Sequence, residues 1–229
     1  MFNYLEVNQT TYDLLAANYQ ENIISLKEYD YFVPEAISNM LMEQIYNNTK
    51  AFRELYLLEL GCGVGALLKA FQKFPYVHLY AVDFSVEMIK FAKKNCPSAM
   101  IEQANVLDIK NINSVFNVTL EGKVDILVMS AFIHCFLTKD AITIMKRIRK
   151  WIAPDGLVYL DTTDEEKYQD GVPCVRTIEN SNRIIYFRTL WNRREFNKFL
   201  KKCGYRILRQ EIHQDSSGRK WIRTIINKA

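Results

Sequence analysis

Histidine is scarce in this 229-residue chain, with three copies at positions 78, 134 and 213, too dispersed to suggest a histidine-based metal site. The five cysteines, at 62, 96, 135, 174 and 203, form no C-x-x-C pair and cannot all be bridged, so reduced thiols are expected in place of a disulfide framework or a zinc site. No apolar run approaches the roughly 18 residues needed to span a bilayer, and the amino terminus lacks a basic segment followed by an apolar one. Neither a membrane span nor a secretory leader is therefore expected. Internal repeats and linker-like stretches are also missing. A formal charge of +4 is too modest to imply a polyanionic partner. What remains, 49% hydrophobic and 24% charged residues, suits one globular unit able to bury a full core. The expectation is a cytoplasmic protein, monomeric or homodimeric.

Glycine is sparse too, yet three of its eight copies alternate within Glu59-Leu60-Gly61-Cys62-Gly63-Val64-Gly65, directly after the apolar run Leu55 to Leu58. A buried strand there enters a tight turn and then a helix. Residues without a Cβ let the backbone approach a ligand closely, while the helix start presents unpaired N–H groups. Val77 to Asp83 reads as a second strand ending on a carboxylate, and Ser85 caps a following helix with Met88, Ile89 and Ala92 on its apolar face. Gly61-x-Gly63-x-x-Ala66 alone also satisfies a relaxed dinucleotide fingerprint. About fifty helical, aromatic-rich residues precede it, however, where a dinucleotide domain would begin with it.

The motif acid-x-Gly-x-Gly-x-Gly at Glu59, Gly61, Gly63 and Gly65, with Asp83 ending strand two, resembles that of class I S-adenosylmethionine-dependent methyltransferases. The resemblance extends from about Tyr12 to Ile226. It implies a Rossmann-like, seven-stranded, doubly wound α/β sheet with an antiparallel last strand and an N-terminal helical lid. It divides the chain into a lid over residues 1–50 and a cofactor-binding unit over 51–229, with a hairpin inserted at about 172–188. It implies S-adenosylmethionine as cofactor, with contacts from Tyr19, Glu59, Gly61, Cys62, Gly63, Gly65, Asp83, Phe84, Met88, Asn105, Val106 and Ser130. Asn105 stands where the family usually has an aspartate facing adenine, and an amide oxygen can accept the same bond; a simple turn role is the alternative.

Val124 to Ser130 reads as a buried central strand, and the loop after it places His134 beside the reacting centre. His134 is the candidate acid/base, because imidazole titrates near neutrality; packing in the loop is the competing role. Met129-Ser130-Ala131-Phe132 departs from the Asn/Asp-Pro-Pro-Tyr/Phe loop of enzymes that methylate base amino groups, which disfavours nucleic acid. The candidate acceptor contacts are Tyr12, Tyr31, Phe32, Tyr186 and Trp191, against the alternative that these rings pack.

Further elements are expected as helices over about 10–27 and 34–47, a helix N-capped by Thr138, a turn at 153–156, a helix over about 192–203 opened by an Asn192/Glu195 capping box, and two closing strands. Lys146, Arg147, Arg149 and Lys150 read as a solvated helix end. The expected reaction is methyl transfer to an oxygen, nitrogen or carbon of a small molecule, such as a natural product, without nucleic acid, membrane or metal. An RNA or tRNA methyltransferase and a non-catalytic cofactor-binding partner protein are the alternatives.

Overall fold

The computed structural model describes residues 3–23, 35–43, 54–177 and 183–229. In chain order the elements are α1 (Tyr4–Ile23), α2 (35–43), β1 (Leu55–Leu60), α3 (Ala66–Phe71), β2 (Val77–Asp83), α4 (Val86–Asn95), β3 (Met100–Gln103), α5 (Ile112–Phe116) and β4 (Val124–Met129). A short 3-10 turn (Ile133–Cys135) leads to α6 (Thr138–Ile148), β5 (Ile152–Thr163), β6 (Gln169–Thr177), β7 (Arg183–Leu190), α7 (Arg193–Lys202), β8 (Tyr205–Gln214) and β9 (Lys220–Lys228).

Seven strands form one sheet in the order β3-β2-β1-β4-β5-β9-β8. β9 runs antiparallel to both its neighbours, and the other pairings are parallel, as the sequence led us to expect. β1 and β4 are buried on both faces, which is why they read as continuous apolar runs. One core layer joins the sheet to α5, α6 and α7 through Ile112, Ile144, Met145, Phe196 and Leu200; the other joins it to α2, α3 and α4 through Ile37, Met40, Leu68 and Ile89. Strand order reverses between β1 and β4, and a ligand crevice is expected at such a point, beyond the carboxyl ends of the strands.

β6 and β7 form a separate two-stranded sheet. α1 lies against β7 and α4, bridging this hairpin to the main sheet.

Several expectations need correction. α1 begins at Tyr4, six residues before the expected start, because Asn3 Oδ1 accepts from Leu5 N–H at 3.1 Å and so caps the helix there. Its buried face starts with polar Asn8 and Thr11 before Leu15 and Ala16, which conceals the helical period from a hydrophobic reading. Thr138 is the first helical residue of α6 and not its cap; Asp170 Oδ1 accepts from both its N–H and its hydroxyl, at 2.8 and 2.9 Å. The expected turn at 153–156 is a register irregularity inside β5, which already pairs through Ile152. Arg147 and Arg149 are structural fasteners: Arg147 donates to the carbonyls of Val106 and Leu107 at 3.0 and 2.6 Å, and Arg149 to that of Gly204. The capping box is half present, with Asn192 Oδ1 accepting from Glu195 N–H at 2.9 Å while the Glu195 carboxylate pairs with Lys198.

Candidate functional site

β1 ends on Glu59 and Leu60, and the chain then needs three left-handed backbone steps, at Gly61 (φ 74°), Gly63 (φ 53°) and Gly65 (φ 80°), before α3. At Gly61 the demand is also steric, since a Cβ there would lie 2.2 Å from Phe132 Cδ2. Asp83, at the tip of β2, ties this turn down: its Oδ2 accepts from Gly63 N–H at 2.8 Å and its Oδ1 from Ser85 N–H at 2.9 Å. Ser85 caps α4 by accepting from Met88 N–H. Its hydroxyl donates in turn to Asp13 of α1 at 2.5 Å.

Between the glycine turn, the loop after β4, the β6–β7 hairpin and α1 lies a cavity. It brings together Tyr12, Tyr19, Glu59, Gly61, Cys62, Gly63, Asp83, Phe84, Met88, Ser130, His134 and Tyr186, twelve residues from elements far apart in the chain. Four sequence candidates do not line it. Gly65 packs under α4, where a Cβ would sit 3.1 Å from Ala92 Cα. Asn105 Oδ1 closes its own turn on Leu107 N–H at 3.1 Å, and Val106 is buried in the core. Trp191 belongs to an aromatic core cluster with Tyr168, Phe196 and Phe199, so its expected place at the acceptor is corrected to packing. Tyr31 and Phe32 lie outside the described residues.

Three residues lining this cavity each carry a buried polar atom with no hydrogen-bond partner among the described residues: Glu59 Oε2, His134 Nδ1 and Arg188 Nε. Burial, then the neighbouring charges of Asp83 and Asp161, pushes the Glu59 carboxyl well above the ordinary carboxylate range. Asp83 is raised by burial, against the opposing effect of its backbone donors. At His134, burial first, then the charges of Arg188 and Arg219, holds the imidazole well below its ordinary value. The ring packs near the Trp221 indole, centroids 6.2 Å apart. It is therefore neutral at physiological pH, a hydrogen-bonding group and a weak proton acceptor.

Sequence reasoning missed several residues here. Asp161, on β5, receives Ala131 N–H at 2.6 Å, Ser130 Oγ at 3.0 Å and Tyr159 OH at 3.1 Å, and so holds the loop after β4 in place. Ala131 needs that support, because its φ of 50° is a conformation that residues with a Cβ rarely adopt. Asn8 and Thr11 fasten α1 over the cavity by bonds to the backbone of Cys135, Ile185 and Phe187. Arg176, Arg188, Arg219 and Trp221 complete the far wall. A carboxylate closing a buried strand was the available signal for Asp161; the hairpin residues carry none, because they alternate with apolar residues as any solvated strand would.

A family model for a methyltransferase domain matches residues 58–158, the stretch from the end of β1 to the middle of β5. Over that stretch the chain is similar to methyltransferase domains. Among curated proteins, the malonyl-[acyl-carrier protein] O-methyltransferase of Priestia megaterium is 26% identical over 151 residues, covering 65% of this chain and 52% of its own length. The chain thus spans about half the length of the curated relatives it matches. Among solved structures, a DhpI–SAH complex superposes with a TM-score of 0.67 at 16% identity, covering 99% of this chain and 97% of that one. The Burkholderia thailandensis 1,6-didemethyltoxoflavin-N1-methyltransferase, solved with 1,6-didemethyltoxoflavin and S-adenosylhomocysteine, gives 0.65 at 14% identity and covers 99% and 89%. At such identities the shared property is the fold. The matched residues line one part of the cavity, from Glu59 to Phe136, and α1 and the β6–β7 hairpin, both outside the matched residues, line another. No His, Cys, Asp or Glu cluster suited to a metal ion occurs among the described residues, and none of their helices is long and apolar enough to cross a membrane.

Proposed function

We propose that this chain transfers a methyl group from S-adenosylmethionine to a small molecule held beneath α1. The observation that carries the reading is Glu59: a buried carboxyl group whose Oε2 has no partner among the described residues, sharing a cavity with Gly61, Gly63 and Asp83. A buried acid without an ion-pair partner is costly, and a ligand ammonium group would supply one. The residues fit the cofactor in other respects. Asp83 is an acceptor suited to ribose hydroxyls, Gly61 and Gly63 allow close approach of the backbone, and Phe84 and Met88 offer apolar contact. S-adenosylmethionine, when bound, supplies a methyl group already activated for displacement. The naming of the relatives as methyltransferases, and the cofactor product in two superposed structures, support the same reading.

The work left to the chain is positional. Tyr12, Leu15 and Tyr19 of α1 cover the cavity and exclude water, which makes α1 a cover over a catalytic unit that begins near β1. The rings of Tyr12 and Tyr19 meet edge to face at 6.3 Å, and Tyr12 also meets Phe84 in this way at 6.3 Å. Burial raises both phenols, so each stays protonated and can donate a hydrogen bond. His134, neutral, orients an acceptor through Nδ1.

Isothermal titration with S-adenosylmethionine, S-adenosylhomocysteine and NAD tests the proposal. Saturable binding of the two adenosyl sulfur compounds, and not of NAD, is the expected result. Binding of NAD alone, or of none of the three, overturns it.

A further inference from the structure

The cavity is electrically divided. Its two acids, Glu59 and Asp83, lie at the tips of β1 and β2, and its three cations, Arg176, Arg188 and Arg219, come from the hairpin and from the start of the β9 region. Arg188 is the informative member. It is only 8% exposed, its Nη2 donates to Thr163 Oγ1 at 3.1 Å, its Nε has no partner, and no carboxylate among the described residues pairs with it. Burying a guanidinium without a counter-charge is unfavourable, and a fold that does so has a use for the unpaired Nε–H. Arg219 is exposed to solvent yet also lines the cavity, as Trp221 does, and its charge acts on His134. Arg176 stands over the Tyr19 ring at 5.5 Å and donates to its hydroxyl at 3.4 Å.

Resting on the methyltransferase reading above, we infer that the acceptor is an oxyanion, a carboxylate or phosphoryl group of a small acid, held by Arg188 and Arg219 and methylated on oxygen. A guanidinium edge matches such a group with two parallel N–H donors, and its charge is permanent. His134 lines the same cavity, its Nδ1 has no partner among the described residues, and it adds an uncharged contact. The transfer forms one O–C bond on the acid and breaks the donor's S–C bond, whose electron pair stays on sulfur. The oxyanion charge and the sulfonium charge disappear together, and no proton moves. A general base is then unnecessary, which agrees with an imidazole held neutral and weakly basic. The ester product has lost a negative charge and with it part of its hold on Arg188, so this arrangement favours release.

The test uses the full chain with methyl-labelled S-adenosylmethionine and matched probes: phenylacetate, malonate and phenylphosphonate against phenylacetamide and malonamide. Thermal shift in saturating S-adenosylhomocysteine gives binding, and label transfer gives turnover. At least one acid should raise the melting temperature while the amides do not. Mild base should release label from a carboxylate ester and leave a phosphonate ester intact, which separates the two sources of oxyanion. Arg188→Lys and the exposed Arg219→Gln should each weaken the acid at least tenfold and leave S-adenosylhomocysteine affinity within threefold. Equal response to acids and amides, no response to any acid, or transfer to neutral probes overturns the inference. A tenfold loss of S-adenosylhomocysteine affinity in both variants also overturns it, by assigning the arginines to the cofactor's own carboxylate. Failure of the unaltered protein to bind S-adenosylhomocysteine would sink the methyltransferase reading instead.

Discussion

Asn8 exchanges two hydrogen bonds with the backbone of Phe187: its Oδ1 accepts from the N–H at 2.7 Å and its Nδ2 donates to the carbonyl at 3.0 Å, across 179 residues of sequence. This is the pairing a strand neighbour would make, performed by a helical side chain that is 1% exposed. The same Nδ2 reaches the Cys135 carbonyl at 3.1 Å, so one amide joins α1, the hairpin and the loop carrying His134. Asn8→Ala removes three hydrogen bonds made by a buried side chain, two to the Phe187 backbone and one to the Cys135 carbonyl. The expected cost is about 2 kcal/mol in urea unfolding, with an accompanying rise in KM for the acceptor, since α1 and the hairpin are then joined by fewer bonds, among them that of Thr11 to the Ile185 carbonyl. An effect below a few tenths of a kcal/mol would show that water replaces the amide and that α1 is held elsewhere.

Glu59 gives a prediction with opposite signs for stability and binding. Its folded-state carboxyl is raised by burial and by Asp83 and Asp161, so its contribution is present below about pH 4.5 and is lost as pH rises. Glu59→Gln removes that penalty, and the ligand-free variant should melt at a higher temperature than the unaltered protein at pH 7.5. Affinity for S-adenosylhomocysteine should fall roughly 10- to 100-fold, the equivalent of a lost charge-assisted bond. A calorimeter reads both. Retained affinity would show that the ammonium group is bound by something other than Glu59.

The glycine turn was legible because its requirements are local: a strand end, three residues without a Cβ and a carboxylate, all within seven positions. Asp83 was legible for the same reason, at the end of an apolar strand. Asp161 was not, since its meaning lies in Ser130 and Ala131, thirty residues away in the chain. Arg188 reads as an ordinary polar position in an alternating strand until the hairpin folds over the sheet and buries it. Trp191 misled for the opposite reason: aromatic rings beside a binding site and aromatic rings in a core look alike in one dimension, and the packing of α7 decided between them. The start of α1 escaped because its buried face opens with Asn8 and Thr11, polar residues satisfied by backbone groups on distant elements.

His134 allows a pH test with a definite sign. Burial and the charges of Arg188 and Arg219 lower it, so between its folded value and about 6.5 the unfolded chain binds the extra proton. Its contribution is complete above pH 6.5 and is lost as pH falls, by at most about 1.4 kcal/mol per pH unit for one proton. Urea unfolding of the unaltered protein and of His134→Gln at pH 7.5, 6.5 and 5.5 should show the variant losing less stability toward acid. In kinetics, kcat/KM should not decline through a group near 6.5 between pH 8 and 6. A decline that His134→Gln abolishes would restore the imidazole as a proton acceptor in the reaction.

Gly61 combines two constraints that a pair of variants separates. Its φ of 74° is left-handed, which costs a residue with a Cβ roughly 1 kcal/mol, and the added methyl would overlap the Phe132 ring at 2.2 Å. Gly61→Ala should therefore destabilise the ligand-free protein by more than backbone strain alone, about 2 to 3 kcal/mol in all. Phe132 touches the cavity and meets Phe136 edge to face with centroids 4.9 Å apart, so its ring is held in place and cannot swing aside freely. Placing Gly61→Ala in a Phe132→Ala background removes the overlap and leaves only the strain. The effect of Gly61→Ala in that background should shrink to about 1 kcal/mol, a coupling that a double-mutant cycle reads directly. Equal effects in both backgrounds would mean that the ring relaxes without cost, and that the glycine is required by the turn and by the ligand, not by Phe132.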